Sequence, residues 1–273
     1  MLEEEWVEAE RTAVLAVREA GALARKQFGT RMIVREKGES GDLVTEVDEA
    51  ADRLIVDAIR SRFPHHGIRS EEQGTVSRDS EWNWLVDPLD GTNNYALGIP
   101  LYGVCVTLVH QGVPVLGVIH DSHLEQTYVA RKGRGATVDG QPLHLGPPRR
   151  EPQRMTVSWI QGHHVQTDPE AKRLFYTLDR GFKRTLRTWS PALIWCMAAR
   201  GDLDGIVLYD SEGEDLYAGV LMMQEAGGCV MDFDGHPFSG ICREPYLIAC
   251  HPDNRPLWLD WIQQAREGRV TGV

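Results

Sequence analysis

The chain has 273 residues, 42 % hydrophobic and 25 % charged, with a formal net charge of −11. That length and balance are ordinary for a globular protein with a sizeable core, and the acid excess argues against binding to a nucleic-acid polymer. No apolar run approaches the ~20 residues of a membrane span. The five cysteines lack C-x-x-C spacing, which argues against zinc and a disulfide framework. Cys105 and Cys196 sit in apolar runs as small core residues. The acidic start Met1-Leu2-Glu3-Glu4-Glu5 is unlike a secretory leader, so a reducing cytoplasm is expected.

Apolar residues at helical spacing from about Glu4 to Phe28 (Trp6, Ala9, Ala13, Val17, Ala20, Ala24) predict an amphipathic helix ending near Gly29. A second helix begins at Thr45, where Thr45-Glu46-Val47-Asp48 has a capping-box pattern, and stops at Pro64. Tyr102–Val109, Val113–His120 and Gln126–Arg131, separated by glycine turns, predict an antiparallel meander. The Pro-rich, charged stretch 146–152 reads as a linker. Beyond it, Met155–Ile160, Pro169–Arg180, Ala192–Arg200, Gly205–Leu208 and Leu216–Ala226 alternate as strands and helices do in α/β units. Asp232-Phe233-Asp234-Gly235 begins like a calcium loop but has no glutamate at the twelfth position, so a hairpin turn is expected.

Trp84-Leu85-Val86-Asp87-Pro88-Leu89-Asp90-Gly91-Thr92-Asn93-Asn94-Tyr95 joins an apolar strand to two aspartates and a turn. Pro88 is expected to end the strand, and Gly91 to permit a tight backbone whose N–H groups face an anion. Asp-Pro and Asp-Gly are also plain turn formers, so the run alone allows a solvated loop as well as a metal site. Glu71, at what looks like a strand end, and Asp48 and Asp215, each opening a helix, are the other acidic candidates. Gathered without a cation, such carboxylates repel by about 4 kcal/mol per pair at ~4 Å and an effective dielectric of ~20. Spacing does not show whether they converge.

The run W-x-x-D-P-L-D-G-T-x-N-Y resembles the first signature of the inositol monophosphatase superfamily, the Mg²⁺-dependent, lithium-sensitive phosphatases. Asp42–Asp48 is similar to that family's D-L-V-T-x-x-D, Ser70-Glu71-Glu72 to its G-E-E, and Lys132–Ala136 to its G-x-G-A turn. Glu214–Gly219 with Gln224–Gly228 resembles its second signature. The resemblance implies a layered αβαβα sugar-phosphatase fold, α+β to α/β in class. An antiparallel-sheet half (1–146) would carry most metal ligands, and an α/β half (153–273) the last aspartate and the substrate wall. It implies that Glu71, Asp87 and the Leu89 carbonyl hold one Mg²⁺, that Asp87, Asp90 and Asp215 hold a second, and that Glu71 touches a weaker third. Asp48 and Thr92 would orient the attacking water. Gly91 and Thr92 would bind phosphate, and Lys37 would belong to a mobile loop Arg35–Gly41. The implied activity is hydrolysis of a small phosphate ester, inositol or sugar phosphate, by a cytoplasmic homodimer. Nucleotide bisphosphates, NADP and histidinol phosphate are the alternative substrates, and a non-catalytic binding protein on this fold is the alternative function.

Three positions depart from the family pattern. Thr188-Trp189-Ser190-Pro191-Ala192-Leu193 stands where G-[ST]-A-A-L is usual on the substrate side, so Trp189, Ser190 and Pro191 are expected to shape that wall. Glu214 replaces the usual Trp before Asp215, and it and Glu212 read either as extra ligands or as solvated charges. Leu208 aligns with a glutamate that touches the inositol ring in true inositol phosphatases, which weakens the case for inositol phosphate.

Overall fold

The computed structural model describes residues 3–30, 34–37, 42–77 and 80–268. Helix α1 (Glu3–Gln27) buries a face of small residues, Ala9, Ala13, Ala16, Val17, Ala20 and Ala24, so its backbone lies close against its neighbours. Strands β1 (Val34–Lys37) and β2 (Asp42–Thr45) pair antiparallel and lead into α2 (Glu46–Arg62). The capping box expected at Thr45 is present: Thr45 Oγ1 accepts from the Val47 N–H, and Asp48 accepts from the Thr45 N–H. The expectation of a loop from Arg35 to Gly41 is corrected in part, because Arg35–Lys37 belongs to β1.

Strands β3 (Gly67–Ser70), β4 (Gly74–Ser77), β5 (Trp82–Asp90), β6 (Gly103–His110), β7 (Val113–Asp121), β8 (Gln126–Arg131), β9 (Gly135–Val138) and β10 (Gln141–Leu143) form one sheet in the order β10-β9-β8-β7-β6-β5-β3-β4. It is antiparallel except for β3 beside β5. Pro88 does not end its strand, contrary to expectation. The ladder passes from Asp87↔Cys105 to Asp90↔Gly103, so β5 carries one extra residue there and Pro88 sits in the resulting bulge. Short α3 (Thr92–Leu97) follows at once.

The second sheet contains β11 (Thr156–Gln161), β12 (Arg184–Leu186), β13 (Gly205–Tyr209), β14 (Cys229–Asp232) and β15 (Tyr246–Cys250), in the order β12-β11-β13-β15-β14. Its first three strands run parallel, and β15 is antiparallel to both neighbours. Between the sheets lie α5 (Pro191–Ala199) and α6 (Leu216–Glu225), apolar on nearly every side. They bury Ala192, Ala218 and Met222 against the first sheet, and Trp195, Val220 and Met223 against the second. A helix hydrophobic all round is one covered on both faces. Helices α1 and α2 cover the first sheet's outer face, while α4 (Pro169–Gly181) and α7 (Arg255–Glu267) cover that of the second. The layers are therefore αβαβα. Sequence periodicity did not reveal β1, β2, β12, β14, β15 or α7, most of which are short or on a sheet edge. No helix among the described residues is long and apolar enough to cross a membrane.

Candidate active site

A cavity of about 890 Å³ opens where the end of β5, the turn after β3, the loop before α5 and the N-terminus of α6 meet. Glu71, Asp87, Leu89, Asp90, Gly91, Thr92, Trp189, Pro191 and Asp215 all line it. Residues far apart in the chain thus converge, as the motifs suggested. The Pro88 bulge turns consecutive acidic positions of β5 toward one place, and the Glu71 N–H bonds the Val86 carbonyl (3.0 Å), tying the β3 end beside them. Lys37 closes β1, where only its backbone is described, and residues 38–41 lie outside the described residues.

Asp48 is buried and bonded on both oxygens. Oδ2 accepts from Thr45 N–H (2.9 Å) and Thr45 Oγ1 (2.5 Å), and Oδ1 accepts from Thr92 Oγ1 (2.8 Å). Burial pushes its carboxyl up, against these hydrogen bonds, to about 6. Asp48 therefore caps α2 through one oxygen and holds the Thr92 hydroxyl through the other. Thr92 Oγ1 also lies 2.9 Å from the Leu89 carbonyl oxygen. A hydroxyl has one proton, so with Asp48 ionised Thr92 donates to the carboxylate and the Leu89 carbonyl loses that donor.

Burial raises Asp87 well above the ordinary carboxylate range, with Glu71, Asp90 and Asp215 adding to it. Asp215 is raised likewise by burial, then by Asp90, Glu214 and Glu71. Asp90 rises to about 7 through burial, against hydrogen bonds from Ser190 and from the Ala192 and Leu193 N–H groups. These carboxylates are mutually repelling and desolvated. Together with a backbone carbonyl they make an anionic, all-oxygen donor set, which fits a hard divalent cation.

Several neighbours hold the aspartates in place. Ser190, expected on the substrate wall, is 0 % exposed and donates its hydroxyl to Asp90 Oδ2 (2.5 Å). Trp189 beside it is 53 % exposed at the cavity mouth. Gly91 has φ +92°, and a Cβ there would stand 2.9 Å from the Leu101 carbonyl oxygen and 3.1 Å from that of Trp189. A Cβ on Gly213 would stand 2.4 Å from Asp215 Oδ1. The Cys105 thiol lies 3.8 Å from the Asp215 carbonyl oxygen, linking β6 to the start of α6.

Arg69 was not singled out by sequence. Its Nη2 lies 2.9 Å from Glu212 Oε1 and its Nε 2.7 Å from Glu214 Oε1. Both glutamates are thus paired with Arg69 across the cleft, from β3 of one sheet to the loop after β13 of the other, while Glu212 also stays exposed to solvent. The replacement of the usual Trp by Glu214 was a sign that a cation was required, but nothing in the spacing pointed to a residue 145 positions earlier. The turn at Gly133–Gly135 is fastened to α6 in a similar way, both N–H groups donating to Glu225 (2.8 Å each). Leu208 is buried inside β13.

A five-layered αβαβα fold with a cleft of buried carboxylates between its sheets defines the class. The chain belongs to the inositol monophosphatase family, whose model matches residues 5–267. It is 32 % identical over 233 residues to an inositol-1-monophosphatase of Synechocystis sp., covering 85 % of this chain and 80 % of that protein. It is 30 % identical over 243 residues to a protein named Nus factor SuhB of Pasteurella multocida, covering 88 % and 90 %. The crystal structure of extragenic suppressor protein suhB from Bartonella henselae superposes with a TM-score of 0.86 at 26 % identity, covering 94 % of this chain and 99 % of that one. The family supports phosphatase activity in general terms. The expectation of no nucleic-acid partner gains nothing from these relatives, since a protein named Nus factor is among them.

Proposed function

We propose that the chain is a Mg²⁺-dependent phosphomonoesterase acting on small phosphate esters, with this cleft as its active site. The convergence of Glu71, Asp87, Asp90 and Asp215 in one cleft, where burial and their neighbours' charge raise Asp87 and Asp215, is the observation that supports it most strongly. Glu71, Asp87 and the Leu89 carbonyl would hold one ion, Asp87, Asp90 and Asp215 a second, and Glu71 a weaker third. When bound, such ions polarise a phosphoryl oxygen and acidify water. Thr92, its proton held by Asp48, presents an oxygen lone pair that orients the attacking water, and the Gly91 and Thr92 N–H groups receive the phosphate. Trp189 and Pro191 face the alcohol part of the ester, Ser190 steadies Asp90, and Lys37 belongs to the segment closing the site. Both halves, 1–146 and 153–273, are needed on this reading, because Asp215 comes from the second. Leu208, buried inside β13, offers no carboxylate to an inositol ring, which weakens the case for inositol phosphate. Nucleotide bisphosphates, NADP and histidinol phosphate complete the panel to be tried. The reading also takes the protein to be a lithium-sensitive, cytoplasmic homodimer.

Phosphate release from that panel, with and without Mg²⁺, is the test. Metal-dependent turnover of at least one ester is expected. Metal binding without turnover on any ester overturns the reading in favour of a binding protein on this fold, the function that the name Nus factor in a relative supports.

A further inference from the structure

Away from the cleft, Cys229 and Cys250 face each other across β14 and β15. They are directly opposed in the antiparallel register, with Sγ atoms 3.5 Å apart. Opposed residues of such strands hold their Cα atoms about 4.5 or 5.5 Å apart. Both spacings lie inside the range of roughly 4.4–6.8 Å that a disulfide spans, so closing the bond requires side-chain rotation and little backbone movement. Because β14 is the edge strand of its sheet, it has one neighbour to keep in register.

The two sulfurs differ in surroundings. Cys250 is 0 % exposed, packed in the core beneath α7 with Trp258 and Ile262, while Cys229 keeps access to solvent. Arg255, at the start of α7, is the charged group that acts on both.

We propose that Cys229 and Cys250 form a hydroperoxide-reactive dithiol, Cys229 attacking and Cys250 resolving, which oxidation converts to an intrachain disulfide. The hydrogen bond with Cys250, and then the Arg255 charge, bring the Cys229 thiol's pKa down to about 7, against its burial. The same hydrogen bond, and the complete burial, keep Cys250 protonated. A thiolate with solvent access is the form that reacts with peroxides. Cys229 sulfur attacks the terminal peroxide oxygen and the O–O bond breaks. This leaves a sulfenic acid and an alkoxide, which takes a proton from water to become the alcohol. Cys250 sulfur then attacks Cys229 sulfur, the S–O bond breaks, and hydroxide leaves with the Cys250 proton as water. The two sulfurs give up two electrons, and one hydroperoxide is reduced to an alcohol and water.

The full chain is exposed to excess hydrogen peroxide, its remaining thiols are alkylated under denaturing conditions, and its peptides are mapped by mass without reduction. The peptides holding Cys229 and Cys250 are expected to be joined, with the five thiols falling by two while the buried Cys105 and Cys196 stay reduced. In Cys250→Ser, oxidation is expected to stop at a Cys229 sulfenic acid that dimedone traps. In Cys229→Ser, Cys250 is expected to stay reduced at the same dose. Survival of all five thiols, linkage of either residue to another cysteine or to a second chain, or oxidation of Cys105 or Cys196 ahead of the pair overturns the proposal.

Discussion

Two clusters of candidate metal ligands in this molecule differ in how their charge is satisfied. At the turn after β14, Asp232, Asp234 and His236 bring ligand atoms within 4.8 Å of one another, the tightest such group among the described residues. In the cleft, Asp87 and Asp90 come from β5 and Asp215 from the start of α6, and they need no mutual contact to act on each other. The turn is exposed and already satisfied. Asp232 Oδ1 accepts the N–H groups of Asp234 and His236, His236 Nδ1 lies 2.9 Å from Oδ2, and Asp234 faces Arg266. Burial pushes Asp232 up, but the His236 N–H, the His236 ring and the Asp234 N–H together leave it below the ordinary range. Asp87 and Asp215 are pushed the other way by burial and by their neighbours' charge. Unrelieved desolvation, rather than proximity of ligand atoms, is what distinguishes a site that needs a cation from a turn that has folded around its own donors.

The comparison breaks most sharply on Asp90. Asp90→Asn is expected to lower metal-dependent phosphate release by more than about 100-fold, since even indirect supports of a metal site cost about 10–100-fold. Asp232→Asn in the turn is expected to leave it unchanged, and equal losses in steady-state assays would erase the distinction between the two clusters.

The titration of the metal-free protein comes next. Asp90 folds with its pKa raised to about 7 and Asp48 to about 6, so the folded state binds more protons than the unfolded chain between those values and the ordinary aspartate range near 4. Stability therefore falls as pH rises through that window, by on the order of 1 kcal/mol per pH unit. Thermal melts from about pH 4 to 7 should show the decline, Mg²⁺ should offset it at the upper end, and Asp90→Asn should make it shallower, with Asp48, Asp87 and Asp215 supplying the rest. A metal-free stability that instead rises across this range would contradict the electrostatic account of the cleft.

Gly91→Ala places a Cβ against the Leu101 carbonyl at φ +92°. A loss of about 1–3 kcal/mol is expected in denaturant unfolding, together with reduced turnover. The smallest effect is expected from Arg69→Met. It leaves Glu212 and Glu214 without their cation beside Asp215, and the partly exposed pairs are worth about 1 kcal/mol or less each. That loss should show in metal-free melts and shrink when Mg²⁺ is added.

Much of this was legible in the chain itself. The alanine face of α1, the Thr45 capping box, the β6–β8 meander and the α/β alternation after residue 155 follow from local spacing, and the structure has each of them. The Asp232–Gly235 run was correctly read as a turn, because a calcium loop requires a ligand at a position where this chain has none. Pro88 was misread for an equally local reason. Its missing N–H forbids an ordinary ladder position, but a bulge tolerates it, and whether a bulge forms depends on β6 alongside. Arg69 with Glu214, Ser190 with Asp90, and Cys229 with Cys250 could not be found by spacing, because each pair joins separate elements.

By itself the sequence determined which side chains can carry charge, cap a helix or turn the backbone, and so the motifs that identify the family. Tertiary structure alone decided that residues 48, 71, 87–92, 190 and 215 gather at one cleft, where burial raises Asp48, Asp87, Asp90 and Asp215, while Asp232 is satisfied by its own turn. Hydrogen-bond patterns of turns and caps are set within a few residues, whereas burial and the field of neighbouring charges are sums over everything the folded chain brings near.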